Sequence, residues 1–243
     1  MKKFIAFTLA ETLIVMGVIG IVSALTLPNL NSSTGDKEKV AKVKKIYQNL
    51  TDALGRAEGV YGPVSDWPSD NATAHFSERL QDFLKASKVC SAVTDCFSSK
   101  YTALNSETND VLGNNAVLLA DGTAVSFSFN PSCSTSNSNS ESSPAYYTCG
   151  YIYIDLDGKK GANTFGKDYF AFYITSKGVY PAMTQDDNDS GFTLTRDCFP
   201  EGYWCTGWVI NQGNMDYLKA NGSGKCKNNS SITLDWTTNT TCK

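Results

Sequence analysis

The sequence predicts an α+β protein: a long N-terminal helix, transmembrane in its first half and amphipathic in its second, packed on an antiparallel sheet head stapled by disulfides. Three observations predict it. A run from Phe7 to Leu27 is apolar with Glu11 as its only charge, a stretch with helical spacing of apolar residues follows, and beyond that the spacing shifts towards two, with all eight cysteines in this later part. At 243 residues the chain has room for one sizeable domain and an appended segment. A net charge of −3 gives no basic footprint, so nucleic acid is not an expected partner.

Residues 1–6 read as a short basic leader carrying Lys2 and Lys3, and residues 7–29 as the membrane-spanning helix. At about 1.5 Å per residue, the run from Phe7 to Leu27 extends roughly 31 Å, enough to cross a bilayer core. The two lysines place its N-terminal end on the cytoplasmic side and export the rest. A secretory signal peptide also begins with lysines and an apolar stretch, and Ser23-Ala24-Leu25 offers a small-residue site for its cleavage. Glu11 argues against that alternative, because a carboxylate inside an apolar run is expensive and usually marks function.

Residues 30–60 read as an amphipathic stem. After the polar break Asn31 to Gly35, apolar residues recur at Val40, Val43, Ile46, Leu50, Leu54 and Ala57, while Lys42, Lys44 and Lys45 fall on a solvated face. Residues 61–243 form the head. Gly59 to Pro68 ends the stem, and Ser77 to Lys85 reads as a short helix capped by Ser77. Ala116 to Ala120, Asp121-Gly122 and Thr123 to Phe129 give a hairpin with a two-residue turn. Ser132 to Ser143 is a Ser/Asn-rich loop. Tyr151 to Ile154 and Tyr169 to Ile174 complete an antiparallel sheet of about four strands.

Cys90, Cys96, Cys133, Cys149, Cys198, Cys205, Cys226 and Cys242 are even in number, and no two stand in a zinc-ligand spacing. They read as a disulfide framework. Many pairings are open; the sequence-local one, Cys90–Cys96, Cys133–Cys149, Cys198–Cys205 and Cys226–Cys242, is favoured. The aromatic residues around Trp204 and Trp208 read as a small core packed on disulfides, with a sugar-binding shelf as the alternative.

Ala6-Phe7-Thr8-Leu9-Ala10-Glu11-Thr12-Leu13-Ile14-Val15 resembles the prepilin cleavage and methylation motif of type IV pilins and type II secretion pseudopilins. The resemblance covers about the first 55 residues. It implies cleavage between Ala6 and Phe7 by a prepilin peptidase that also methylates the new amino group; this chain has Ala6 where the family usually has Gly. It further implies that Glu11 is retained and pairs with the Phe7 amino group of a neighbouring subunit, and that Pro28 marks a kink in the long helix. The implied partners are other pilin or pseudopilin subunits in a helical filament. The implied location is the bacterial inner membrane as a single-pass protein, with the inner membrane itself as partner before assembly, then an extracellular or periplasmic filament. The alternative is a minor, tip-located pilin whose cysteine-rich head is an adhesin or ligand-binding module.

Calcium is the one cofactor with a candidate site, since major pseudopilins are known for calcium-binding loops in the head. Asp155, Asp157, Asn163 and Asp168 offer oxygen ligands between two strands, although an EF-hand register fails, with Lys159 and Lys160 at its fifth and sixth positions. The competing reading is a Gly-rich connection whose polar side chains make turns. Asp186-Asp187-Asn188-Asp189 is a weaker candidate of the same kind. No enzyme is expected: His75 is the only histidine, and neither a nucleophile elbow nor a phosphate loop occurs.

Overall fold

The computed structural model describes residues 9–134, 141, 143–161, 163–185 and 193–243, with residues 22–34 and 144 described by backbone alone. It divides into two compact units, Met1–Glu38 and Lys39–Lys243. One helix, α1 (Leu9–Tyr61), contributes to both. Its backbone is helical through Gly17, Gly20, Pro28 and the Asn31–Gly35 stretch, so the expected polar break does not interrupt it. Ser and Thr cost a helix only a few tenths of a kcal/mol each, which long helical flanks absorb.

The expected transmembrane half is corrected. Among the described residues no helix is long and apolar enough to cross a membrane, and a single-pass inner-membrane location is not supported. The side chains described in the first part of α1 run from Leu9 to Ile21, about 20 Å of helix against a hydrocarbon core of about 30 Å, and Glu11 and Thr12 interrupt their apolar character.

The second unit is an α+β head built on a six-stranded antiparallel sheet. The strands of that sheet are β1 (Ala86–Cys90), β4 (Asn115–Leu119), β5 (Ala124–Phe129), β6 (Thr148–Asp155), β7 (Tyr169–Thr175) and β8 (Gly178–Pro181), in that order. The short strands β2 (Lys100–Thr102) and β3 (Thr108–Asp110) pair with each other, as do β9 (Lys225–Cys226) and β10 (Asn229–Thr233). The hairpin around Asp121-Gly122 sits where the sequence places it, with Leu118 opposite Ala124. The sheet exceeds the expected size because β1 and β8 flank the four legible strands. Both are short; β1 is mostly exposed and β8 ends on Pro181, which tolerates only an edge.

Helix α2 (Ala72–Leu84) begins before Ser77, which is buried inside it rather than capping it. Phe76, Leu80 and Leu84, spaced by one turn, form its buried face. Helix α3 (Thr206–Gln212) completes the head.

Side chains alternate across the sheet. Val125, Phe127, Ile152, Ile154, Phe170, Phe172 and Ile174 face the core shared with α1 and α2. Tyr153, Tyr169, Ala171 and Tyr173 face a second, tyrosine-rich core beneath the connections around β2 and β3. Burial on both faces explains why β7 is apolar or aromatic from Tyr169 to Ile174 instead of alternating. The α1 stripe of Val40, Val43, Ile46, Leu50, Leu54 and Ala57 is fully or nearly fully buried, and Tyr47 stacks on Phe172 with ring centroids 5.6 Å apart.

The four disulfides join Cys90–Cys96, Cys133–Cys149, Cys198–Cys205 and Cys226–Cys242, and no cysteine is free. Each cysteine is bridged to its sequence neighbour, the pattern favoured from the spacing. The aromatics of the C-terminal third pack as a core: Trp208 lies against Phe199 and Trp236, and Trp204 against Tyr151 and Tyr173.

Truncating Leu50, which is wholly buried in the seam, to alanine should cost about 3 kcal/mol, whereas Gln48→Ala on the exposed side of the same helix should stay within about 0.5 kcal/mol. Urea unfolding of the oxidised chain measures both, and equal costs would place the seam elsewhere.

Candidate functional site

Two places carry the residues singled out from the sequence: the start of α1 and the loop between β6 and β7. Ala6 and Phe7 lie outside the described residues. Glu11 stands in the first turn of the described part of α1. Pro28 falls within α1, its side chain outside the description. The apolar residues from Leu9 to Ile21 are open on every side of the helix: Leu9, Leu13, Ile14, Val15, Met16, Val18, Ile19 and Ile21 are between 52% and 81% exposed. A water-facing surface helix ordinarily keeps one polar face, whereas here the exposed side chains are mostly apolar.

The four loop residues differ in burial and in hydrogen-bond partners. Asp155, at the end of β6, is fully buried; it accepts a hydrogen bond from the Tyr101 hydroxyl at Oδ2 and from the Asp157 N–H at Oδ1 (3.0 Å). Asp157 is exposed, and its carboxylate lies over Gly161, whose φ of +79° and close contact leave no room for a Cβ. Asn163 takes a left-handed backbone and its carbonyl accepts from Thr102 N–H (3.0 Å). Asp168, 2% exposed, pairs through Oδ1 with the Lys39 ammonium from α1, while its backbone bonds Leu156 and Thr164.

Among the described residues no group of three or more His, Cys, Asp or Glu is placed to hold a metal ion. The Asp168 Oδ2 and Asn163 Oδ1 atoms are buried with no partner among the described residues, but the positive charge at Asp168 is already supplied by Lys39. The loop is thus held to α1 by Lys39 at Asp168 and by Lys42 at the Leu156 carbonyl. The run Asp186 to Asp189 lies outside the described residues.

The clamp is the feature that sequence reasoning missed. Lys39, Lys42 and Lys45 repeat every three residues along α1 and reach three anchors on the head: Asp168, the Leu156 carbonyl and the Asp121 carboxylate, the last at 3.5 Å. Lys42 thus belongs to the seam and not to the open face. Its position flanking the apolar stripe at Val43 is the only local signal that could have indicated this.

Burial pushes the Asp155 carboxyl up to about 8, against the lowering effect of the Tyr101 hydroxyl and the Asp157 N–H. The Tyr101 hydroxyl is likewise raised, first by burial and then by the neighbouring Asp155.

Comparison with known protein families, with curated proteins and with solved structures finds no match to this chain.

Because the folded carboxyl holds its proton to about pH 8 and the unfolded one only to its ordinary value of 3.8, the folded state binds more protons between these limits. The stabilisation is fully present below pH 3.8 and is lost as pH rises through about 8. Asp155→Asn, neutral at every pH, should remove this dependence and exceed the wild type in stability at pH 9 by about 2 kcal/mol or more. Chemical denaturation at pH 5 and pH 9 reads the difference; parallel pH profiles for the two proteins would show the carboxyl to be ionised throughout.

Proposed function

We propose that this chain is a structural subunit of a helical filament of the type IV pilus or type II secretion pseudopilus class, clipped before Phe7 and assembled through the first part of α1. One observation carries the reading. A single helix has two unlike ends, one whose apolar stripe is buried in a disulfide-stapled head and one, Leu9 to Ile21, whose apolar side chains are exposed all round. Covering the exposed end with the same segment of other copies removes from water surface that the chain itself does not cover. At roughly 25 cal/mol per Å2, each fully covered Leu, Ile, Val or Met contributes about 1.5–3 kcal/mol, so several together drive association.

The same geometry gives Glu11 its role. Within a bundle of apolar helices a carboxylate is tolerated only where a positive group meets it, and cleavage before Phe7 creates an amino group four residues upstream. A pair between Glu11 of one copy and that amino group of the next sets the axial register, since a shifted register buries both charges unpaired. The resemblance of residues 6–15 to the prepilin motif supports the same reading independently of the helix's exposure.

Intact-mass and N-terminal analysis of the mature protein from its native source, without reducing agent, tests the processing. The expected chain begins at a methylated Phe7 and is about eight mass units lighter than its reduced form, one pair of hydrogens for each of the four disulfides. A chain beginning beyond Ala24 would mean ordinary signal-peptide removal and no filament. Glu11→Ala should be processed normally yet enter filaments at least tenfold less; undiminished incorporation would remove Glu11 from the assembly mechanism.

A further inference from the structure

The loop between the short 3-10 helix Asp216–Lys219 and β9 is organised by a single side chain. Asn221 Oδ1 accepts three hydrogen bonds, from Ser223 N–H (3.0 Å), Ser223 Oγ (2.8 Å) and Lys225 N–H (2.9 Å). The backbone closes around it: Asn221 N–H donates to the Lys225 carbonyl at 2.8 Å, and Gly224 N–H donates to the Asn221 carbonyl at 2.9 Å. Asn221 and Gly222 are exposed. Among the described residues, neither the Asn221 side-chain nitrogen nor the Gly222 N–H has a hydrogen-bond partner.

Two features make this a reactive arrangement as well as a folded one. Asn221 is the one asparagine of the chain that precedes a glycine. The next backbone nitrogen is therefore flanked by no Cβ and is free of other bonds, and closing a five-membered ring on Asn221 Cγ needs no encounter between separate molecules. The second feature is the crowd of donors on Oδ1. An amide oxygen has two lone pairs, whereas three donors gathered on one oxygen suit a carboxylate better. The same donors stabilise the negative charge that develops on that oxygen when Cγ becomes tetrahedral. Lys225 and Lys227, both exposed, bring further positive charge to this stretch.

We propose that Asn221 is a self-modification site whose amide converts to a carboxylate, with water as the only co-reactant. The Gly222 nitrogen gives up its proton and bonds to Cγ, the Cγ–Nδ2 bond breaks, and ammonia leaves carrying that proton. Water then adds to Cγ of the cyclic imide, the Cγ–N bond breaks, and the Gly222 nitrogen recovers a proton, leaving aspartate at 221. The other opening, at the main-chain carbonyl carbon, gives an isoaspartyl link. The loop selects against it, because aspartate keeps all three donors while the isoaspartyl link lengthens the backbone and carries the carboxylate away from them. Each converted head gains one negative charge. Asn229 supplies an internal comparison: its Oδ1 also accepts from a residue two positions on, Ser231, but only that residue donates to it, and the nitrogen that would attack belongs to Ser230. The inference is independent of filament assembly, because it concerns a head loop in the chain as a monomer.

The test holds the oxidised full-length chain in detergent at pH 8, beside the same chain unfolded in guanidinium chloride, and maps both by peptide mass over days. The expected result is a gain of one mass unit confined to the peptide holding Asn221, no slower in the folded chain than in the unfolded one, with aspartate exceeding isoaspartate and Asn229 lagging. Ser223→Ala removes one donor and should slow conversion of the folded chain about fivefold. Asn221→Asp should unfold at the wild-type midpoint or above it. Slower conversion in the folded chain than in the unfolded one overturns the proposal, and that comparison needs no variant. A mainly isoaspartyl product, or a rate unchanged by Ser223→Ala, would show that the three donors do not direct the reaction and would overturn it as well.

Discussion

The head depends on one seam, the burial of the Val40–Ala57 stripe of α1 against the sheet. Six side chains of that stripe lose almost all contact with water, contributing on the order of 10 kcal/mol of gross stabilisation. The sheet cannot dispense with the helix, since the inner faces of β5, β6 and β7 are Val, Ile and Phe throughout and would otherwise be exposed. Tyr47 on Phe172 fixes the rotation of the helix over the strands, and the lysine row at Lys39, Lys42 and Lys45 fixes its translation by reaching three separate anchors. The disulfides act at a shorter range. Each closes a local segment, so they tether the outlying loops to a core that the seam has already organised.

The same helix then carries an opposite arrangement at its other end. From Leu9 to Ile21 the apolar side chains are not arranged in a stripe, and no polar face accompanies them. A stripe suits a helix with one partner surface; apolar residues all round suit a helix surrounded by several. The two halves of α1 thus differ in pattern: one is covered by the chain itself, and the proposed filament would cover the other with further copies.

Much of this was legible locally, and the exceptions share a cause. The hairpin at Asp121-Gly122, the strands containing Tyr151–Ile154 and Tyr169–Ile174, the amphipathic stem and the pairing of neighbouring cysteines all depend on residues close in sequence. What the sequence concealed depends on distant ones. The partners of Asp155 and Asp168, Tyr101 and Lys39, stand 54 and 129 residues away. Strands β1 and β8 were hidden because edge strands carry polar residues and proline that suppress the strand signal, and α2 was shortened because Ser77 resembles a cap while being a buried interior residue.

The central claim is that copies of this chain cover one another's Leu9–Ile21 segments. Photo-crosslinking from a benzophenone amino acid placed at Ile14 measures this directly in assembled material. The account predicts crosslinks from Ile14 to residues 9–21 of other copies, abolished when filaments are dissociated. Crosslinks only to unrelated proteins or only within the same chain, with assembly intact, would contradict it.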